Sequence, residues 1–141
     1  MMENCIFCKI ITGDMPGHVL YEDEHVFVFL DISQTTKGHT LVVPKAHRKD
    51  VFEMAPHEME QVFSIVPKLS TALKEVFDCT GLNVVNNNGE SAGQTVFHYH
   101  VHLIPRYGND DFGIRFVNHM AAYDQVALAE LKGKIRKNLE A

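Results

Sequence analysis

The feature that most constrains this chain is the run His98-Tyr99-His100-Val101-His102. Side chains alternate along an extended strand, so the three histidines share one face, about 6.5–7 Å apart, and Tyr99, Val101 and Leu103 share the other. The second set suits a core. The first suits none, because each imidazole has two nitrogens to satisfy and positive charges in a row repel one another. The segment 97–104 is therefore read as a strand with one face given over to chemistry.

Three uses of that face compete. It could be the solvated side of an edge strand. It could be a three-histidine metal site, since His-x-His pairs on strands hold zinc with a third ligand from elsewhere. Or it could act at phosphate, where one neutral imidazole attacks and its neighbours donate hydrogen bonds as charge builds. The preceding stretch, Asn86-Asn87-Asn88-Gly89-Glu90-Ser91-Ala92-Gly93-Gln94-Thr95, is a polar, turn-rich loop. It offers backbone N–H groups, amides and hydroxyls, the material of an anion-binding concavity. That neighbourhood favours phosphate chemistry.

The rest of the chain supplies a frame. A short helix is expected over 4–13, with Ile6, Phe7, Ile10 and Ile11 at helical spacing and Gly13 as the stop. Met15-Pro16-Gly17 reads as a turn. Strands are expected over 19–22, 26–32, 39–43 and 82–86, the second nearly all apolar and so covered on both faces. A long helix begins near Pro56 and carries an apolar stripe from Met59 to Phe77, with Pro67 expected to kink it. A C-terminal helix over about 121–139 places Leu128, Leu131, Ile135 and Leu139 on one side. The fold class is α+β: a five-stranded, mostly antiparallel sheet with a long helix, a short N-terminal helix and a C-terminal helix.

The chain has 141 residues, 45% hydrophobic and 22% charged. That is the size and balance of one globular domain spanning 1–141, its core at about 4–116. The net charge of -5 argues against a nucleic-acid surface, so a bound phosphate must be held by backbone N–H groups and imidazoles. No basic segment followed by an apolar one opens the chain, and no apolar run approaches a membrane span, so a cytoplasmic protein is expected. Three cysteines in a reducing compartment are thiols or metal ligands rather than a disulfide framework.

The segment Gly93-Gln94-Thr95-Val96-Phe97-His98-Tyr99-His100-Val101-His102-Leu103-Ile104 resembles the signature of the histidine triad (HIT) family of nucleotidyl hydrolases and transferases. Ile6-Phe7-Cys8-Lys9-Ile10-Ile11 resembles that family's first helix, and Phe29-Leu30-Asp31-Ile32 its ribose-binding strand. Gly38-His39-Thr40-Leu41-Val42-Val43-Pro44-Lys45-Ala46-His47 resembles the segment with its fourth histidine. The branch most similar is bacterial and related to the adenosine phosphoramidases. The resemblance implies that His100 is the nucleophile that becomes nucleotidylated and that His102 contacts the phosphate. It implies that His98 supports His100 through its backbone carbonyl, and that His39 completes a cluster of four. It places Asn87, Gly93, Gln94 and Thr95 near the phosphate, with the Thr95 hydroxyl at the leaving group, where eukaryotic relatives commonly carry Ser. Asp31 would accept hydrogen bonds from the ribose. Ile6, Phe7, Ile10, Met15, Phe29 and Ile32 would form an apolar slot for a purine base.

Cys5-Ile6-Phe7-Cys8 is by itself a weak zinc signal, needing two more ligands. Bacterial relatives that resemble this chain place a structural zinc between such thiols, a histidine past the Pro-Lys segment and the first triad histidine. The implied set is Cys5, Cys8, His47 and His98, a closed shell without an open position. No catalytic cofactor is implied. The resemblance also implies a homodimer, with residues 109–116 approaching the partner's site. Cys79, His18, His25, His57 and His119 read as packing or surface residues, and Lys45 and Arg106 as solvated.

The leading reading is a hydrolase of purine nucleoside 5′-phosphoramidates working through nucleotidyl-His100. A dinucleoside polyphosphate hydrolase of the same fold would prefer diadenosine polyphosphates. A nucleotide-binding regulatory protein would turn over only incidentally. A metal hydrolase using the triad as ligands would lose activity to chelators.

Overall fold

The structure is a computed structural model that describes residues 2–141. Its centre is a five-stranded sheet of order β1-β2-β3-β5-β4, with β1 at Val19–Glu22, β2 at Val26–Leu30, β3 at Thr40–Pro44, β4 at Gly81–Val85 and β5 at Val101–Arg106. All four pairings are antiparallel. The apolar run of β2 is covered on both faces, as its composition predicts. Val26 and Val28 belong to one core cluster and Phe27 and Phe29 to another.

The first cluster packs the sheet under two helices, α2 at Pro56–Ser64 and α3 at Val66–Phe77. Val62, Val66 and Leu73 meet Val42, Tyr99, Val101 and Leu103 there. These are the apolar alternates of the histidine run. The second cluster lies on the opposite face, where Phe7 from α1, at Ile6–Thr12, packs on Phe27, Phe29, Leu41 and Val43. Cys5 caps α1 by accepting the Cys8 N–H at 3.4 Å, and Gly13 ends it at φ 85°. α1 thus lies on the histidine face and closes it from above.

Several boundaries differ from the sequence reading. The single long helix is two, broken at Ile65, because Pro67 lies in the first turn of α3, where its missing N–H costs nothing. β2 stops at Leu30 rather than residue 32, because Asp31 turns the chain by accepting the Ser33 N–H at 2.8 Å. Pro44 ends β3 from inside the ladder, opposite Val26. The last helix, α4, runs over Gln125–Leu139, capped by the Asp124 carboxylate on the Ala127 N–H. Its apolar stripe is exposed, and no residue beyond Pro105 is buried.

The largest departure concerns the histidine run. β5 starts at Val101, not at residue 97, and pairs with β3 from Val42. His98, Tyr99 and His100 precede the ladder. The Tyr99 N–H goes instead to the Arg48 carbonyl at 2.6 Å, and the Asn86 amide donates to the His100 carbonyl at 2.9 Å. The backbone remains extended enough to alternate its side chains, but two of the three histidines are held by loop contacts.

Candidate active site and metal centre

The three histidines face α1 and then diverge in their surroundings. His98 is 0% exposed, and its Nε2–H donates to the Pro44 carbonyl at 2.8 Å. That bond leaves the Nδ1 lone pair facing Cys5 Sγ at 3.4 Å and Cys8 Sγ at 3.6 Å. His47 Nδ1 lies 3.4 Å from Cys8 Sγ. The ligand atoms of Cys5, Cys8, His47 and His98 all lie within 4.8 Å of one another.

This donor set fits a divalent metal. It is two sulfurs and two imidazole nitrogens, with the His98 tautomer fixed by an outer carbonyl in the manner of zinc-bound histidine. Burial, against the upward pull of the Pro44 carbonyl, and the nearby His47 and His100 hold His98 down at about 4, so its ring is neutral at pH 7. Burial pushes the Cys5 thiol up; a cation between the sulfurs would reverse that.

His100 is turned the other way. Its Nδ1–H donates to the His98 carbonyl at 2.7 Å, which leaves the Nε2 lone pair available. Phe7 packs edge-on against the ring, centroids 5.1 Å apart. Burial lowers the His100 pKa, only partly offset by the His98 carbonyl and the Asp31 charge. A neutral, oriented imidazole with a free nitrogen is the form that attacks an electrophile.

His102 and His39 form a directed chain. The Thr35 N–H donates to His39 Nδ1 at 3.2 Å, so the His39 proton sits on Nε2. That Nε2–H donates to His102 Nδ1 at 2.9 Å, so the His102 proton sits on its own Nε2. Burial, with the charges of His100 and His39, holds His102 down at about 4, and burial also lowers His39. His102 therefore presents a donor beside the lone pair of His100, with ring centroids 4.9 Å apart.

Asp31 follows β2, its Oδ2 3.6 Å from His39 Nε2. Burial pushes its carboxyl up, but two hydrogen bonds from Ser33 and the charges of His39 and His102 outweigh it and lower the pKa. Asp31, His39 and His102 are close enough to share a metal. The Thr35 bond, however, leaves a proton rather than a lone pair on His39 Nε2, so this trio suits hydrogen bonding and not ligation.

A cleft of about 330 Å³ opens before His100 and His102. One wall is apolar, from Ile6, Phe7 and Ile10 of α1, Met15 after it, and Phe29 of β2. Asp31 and Ile32 also line it, and Asn87, Gly93 and Thr95 bring polar groups to it. His98 and His39 do not reach the cleft and act from behind it. Gly93 adopts φ 90°, a conformation costly for any side chain, and lies beside the Asn87 amide.

Gln94 is a correction to the sequence reading. It is 3% exposed and faces away from the cleft, donating to the Lys49 and Val96 carbonyls at 2.7 and 3.1 Å and accepting the Gly89 N–H at 2.8 Å. It braces the loop rather than contacting a ligand. Lys45 and Arg106 are also spoken for. Lys45 pairs with Glu22 at 2.8 Å, and Arg106 with Asp110 at 2.7 Å and Asn83 at 2.7 Å.

Two contributors are missing from the sequence reading. Gly17 lines the cleft where a Cβ would stand 2.6 Å from Ile10 Cγ2. Gln34, at φ 42°, donates to the Asp31 and His39 carbonyls at 2.6 and 2.8 Å and accepts the Gly38 N–H at 2.8 Å. It fastens together the two ends of the loop that carries Asp31 and His39. Only its place between them hinted at this.

Comparison with known proteins places this arrangement in context. A family model described as HIT domain matches residues 12–109. The protein named Protein hit from Bacillus subtilis is 54% identical over 138 residues, covering 97% of this chain and 95% of its own. The adenosine 5′-monophosphoramidase of Schizosaccharomyces pombe is 39% identical over 111 residues, 79% of this chain and 80% of its own. The crystal structure of a HIT family protein from Bacillus anthracis superposes with TM-score 0.94 at 51% identity, covering 98% of this chain and 99% of that one. A Zn-bound histidine triad family protein from Mycobacterium smegmatis superposes with TM-score 0.74 at 34% identity, covering 93% and 97%.

Proposed function

The chain belongs to the HIT domain family, and from that premise we propose that it hydrolyses purine nucleoside 5′-phosphoramidates through a covalent nucleotidyl-histidine on His100. The observation that carries this reading is the His100 tautomer: Nδ1–H is committed to the His98 carbonyl, and Nε2 is a neutral lone pair at the cleft. In the first step His100 Nε2 forms a bond to the α-phosphorus. The P–N bond breaks, and the nitrogen, protonated beforehand, leaves as a neutral amine with the bonding pair. In the second step water attacks the same phosphorus, the bond to Nε2 breaks, and the water proton passes to solvent.

The residues around His100 position and stabilise rather than react. His102 Nε2–H donates to a phosphate oxygen, its direction set by His39. Asp31 accepts from the ribose hydroxyls, and Phe7, Ile10, Met15 and Phe29 enclose the base. With a net charge of -5 the protein offers no cationic cluster, so orientation carries the charge stabilisation. The name of the Schizosaccharomyces pombe relative supports this class of substrate.

The same reading assigns a structural Zn²⁺ to Cys5, Cys8, His47 and His98. Bound there, it would fix α1 to the strand approach that carries His100. A homodimer accounts for the exposed stripe of α4 (Leu128, Leu131, Ile135) and the half-open edge strand β4. The described residues contain no helix long and apolar enough to cross a membrane. Three free thiols suit the cytoplasm.

The test is chemical. Acid-quenched reactions with adenosine 5′-phosphoramidate should yield an adenylyl adduct that mass spectrometry maps to His100. His100→Ala should lose at least about a thousandfold in turnover while still binding AMP. Wild-type turnover in that variant would end the proposal.

A further inference from the structure

The loop before the triad holds three asparagines in a row, and they divide by alternation. Asn87 lines the cleft, while Asn86 and Asn88 do not. The Asn88 Nδ2–H donates to Asn86 Oδ1 at 2.6 Å, and the Asn86 Nδ2–H donates to the His100 carbonyl at 2.9 Å. Behind them the Val51 N–H donates to Asn88 Oδ1 at 2.7 Å. Val51 opens a single 3₁₀ turn, Val51–Glu53, which the Asp50 carboxylate caps by accepting the Phe52 N–H at 3.0 Å. A line of hydrogen bonds thus runs from the main chain of Val51, through two amides, to the main chain of His100.

The sense of this line is fixed at both ends. A peptide N–H can only donate and a peptide carbonyl can only accept, so Asn88 turns its oxygen to Val51 and Asn86 turns its nitrogen to His100. The bond between the two amides follows from those orientations. The Val51 end is firmly seated. The same stretch accepts the Tyr99 N–H at the Arg48 carbonyl, at 2.6 Å, and the Gln94 amide at the Lys49 carbonyl, at 2.7 Å. The Arg48 guanidinium is in turn paired with Glu58 of α2 at 2.7 Å. His100 is therefore gripped twice, at its ring by the His98 carbonyl and at its own carbonyl by Asn86.

We propose that Asn86 and Asn88 are positioning residues for His100, and that they act through the polarity of their amide line rather than through their bulk. Reversing one amide sets an oxygen against the His100 carbonyl oxygen. The carbonyl must then swing away, which stretches the His98 bond and moves Nε2. A misplacement of about 1 Å at a reacting atom costs on the order of a hundredfold, so a smaller shift is already visible in kcat. The inference rests on the phosphoramidase reading for its substrate; its geometry belongs to the free protein.

Two substitutions at one position test it. Asn88→Asp keeps the shape and the acceptor for Val51 but cannot donate, so Asn86 turns its nitrogen to the new carboxylate and its oxygen to His100. Asn88→Ala leaves Asn86 free to go on donating to His100. With adenosine 5′-phosphoramidate, Asn88→Asp should lower kcat about tenfold and Asn88→Ala only about twofold, with KM and AMP binding nearly constant in both. A packing role predicts the opposite order, since the aspartate is isosteric and the alanine is not. Asn86→Ala should also cost about tenfold in kcat, and adding Asn88→Asp to it should cost nothing more, because the line is already cut. Nitrogen NMR of the imidazoles, on folded protein without substrate, should show the Nδ1–H form of His100 losing population in Asn88→Asp and not in Asn88→Ala. The opposite order of kcat, additive losses in the double variant, or an unchanged His100 tautomer in Asn88→Asp overturns the positioning role. A wild-type protein that does not hydrolyse the phosphoramidate overturns the phosphoramidase reading instead, and the NMR comparison then decides the positioning role by itself.

Discussion

The His100 Nδ1–H donates to the carbonyl of His98 at 2.7 Å, while the ring of His98 points into the cysteine cluster. One residue therefore serves two centres, its side chain the metal-ligand set and its main chain the imidazole at the cleft. Anything that shifts His98 turns His100.

A metal held by that cluster would therefore be more than a staple. Protein purified without chelator is expected to carry about one zinc per chain. Cys8→Ser, or stripping with chelator, should lower stability by several kcal/mol, since a closed Cys₂His₂ site contributes its binding energy to folding. It should lower kcat and also raise the KM for nucleotide, because Cys5 and Cys8 sit on the helix that carries Phe7 and Ile10 of the apolar wall, while His98 orients His100. Metal analysis with thermal melts and steady-state kinetics decides this. Full kcat in zinc-free protein would refute the coupling.

The width of the apolar part of the cleft is set partly by an absent side chain. Gly17 lies where a Cβ would meet Ile10 Cγ2 at 2.6 Å, so Gly17→Ala pushes Ile10 into the cleft. The clashing Cγ2 hangs directly on the Cβ of a β-branched residue in α1, so the whole Ile10 side chain must give way and a modest loss of stability should accompany the change. The expected outcome is a KM for nucleotide raised about tenfold with kcat nearly constant, the pattern of lost uniform binding. Calorimetric titration of AMP should show the same loss.

Acid should act on the His39–His102 pair. Burial holds His102 down at about 4 and lowers His39, so both are neutral in the folded protein and charge readily once unfolded, at the ordinary value of 6.5. A folded-state pKa below the unfolded one contributes fully above pH 6.5 and is lost as pH falls from there toward 4. From His102 the loss is at most about 3 kcal/mol, reduced by solvent at its open side. Urea midpoints at pH 7, 5.5 and 4.5 should fall in order, and less steeply for His102→Gln. Identical slopes in the two proteins would rule His102 out as the cause.

The histidine alternation made the site legible because period two reports which side chains share a face, whatever the backbone bonds to. It could not report partners. Tyr99 looks like the middle of a strand, yet its N–H goes to Arg48, a residue some fifty positions earlier. Gln94 was misplaced for the same reason: loop composition shows that amides are available, not which way they turn. Gln34 left almost no trace, since a glutamine at positive φ is not a turn residue the sequence advertises. Pro67 was visible, but only the structure shows that it opens α3 instead of bending one helix. The cysteine pair alone was legible as far as two ligands; His47 and His98 came from the resemblance to HIT proteins, and the fold brings all four ligand atoms within 4.8 Å of one another.

The hydrogen-bonded line through His39 and His102 begins at a peptide group, the N–H of Thr35. Every residue except proline brings that same N–H. Drift at position 35 can therefore alter what lies near the loop without reversing the sense in which the line delivers its proton. Polarity at the mouth of the cleft is inherited from the main chain, and selection is left free to vary the side chains around it.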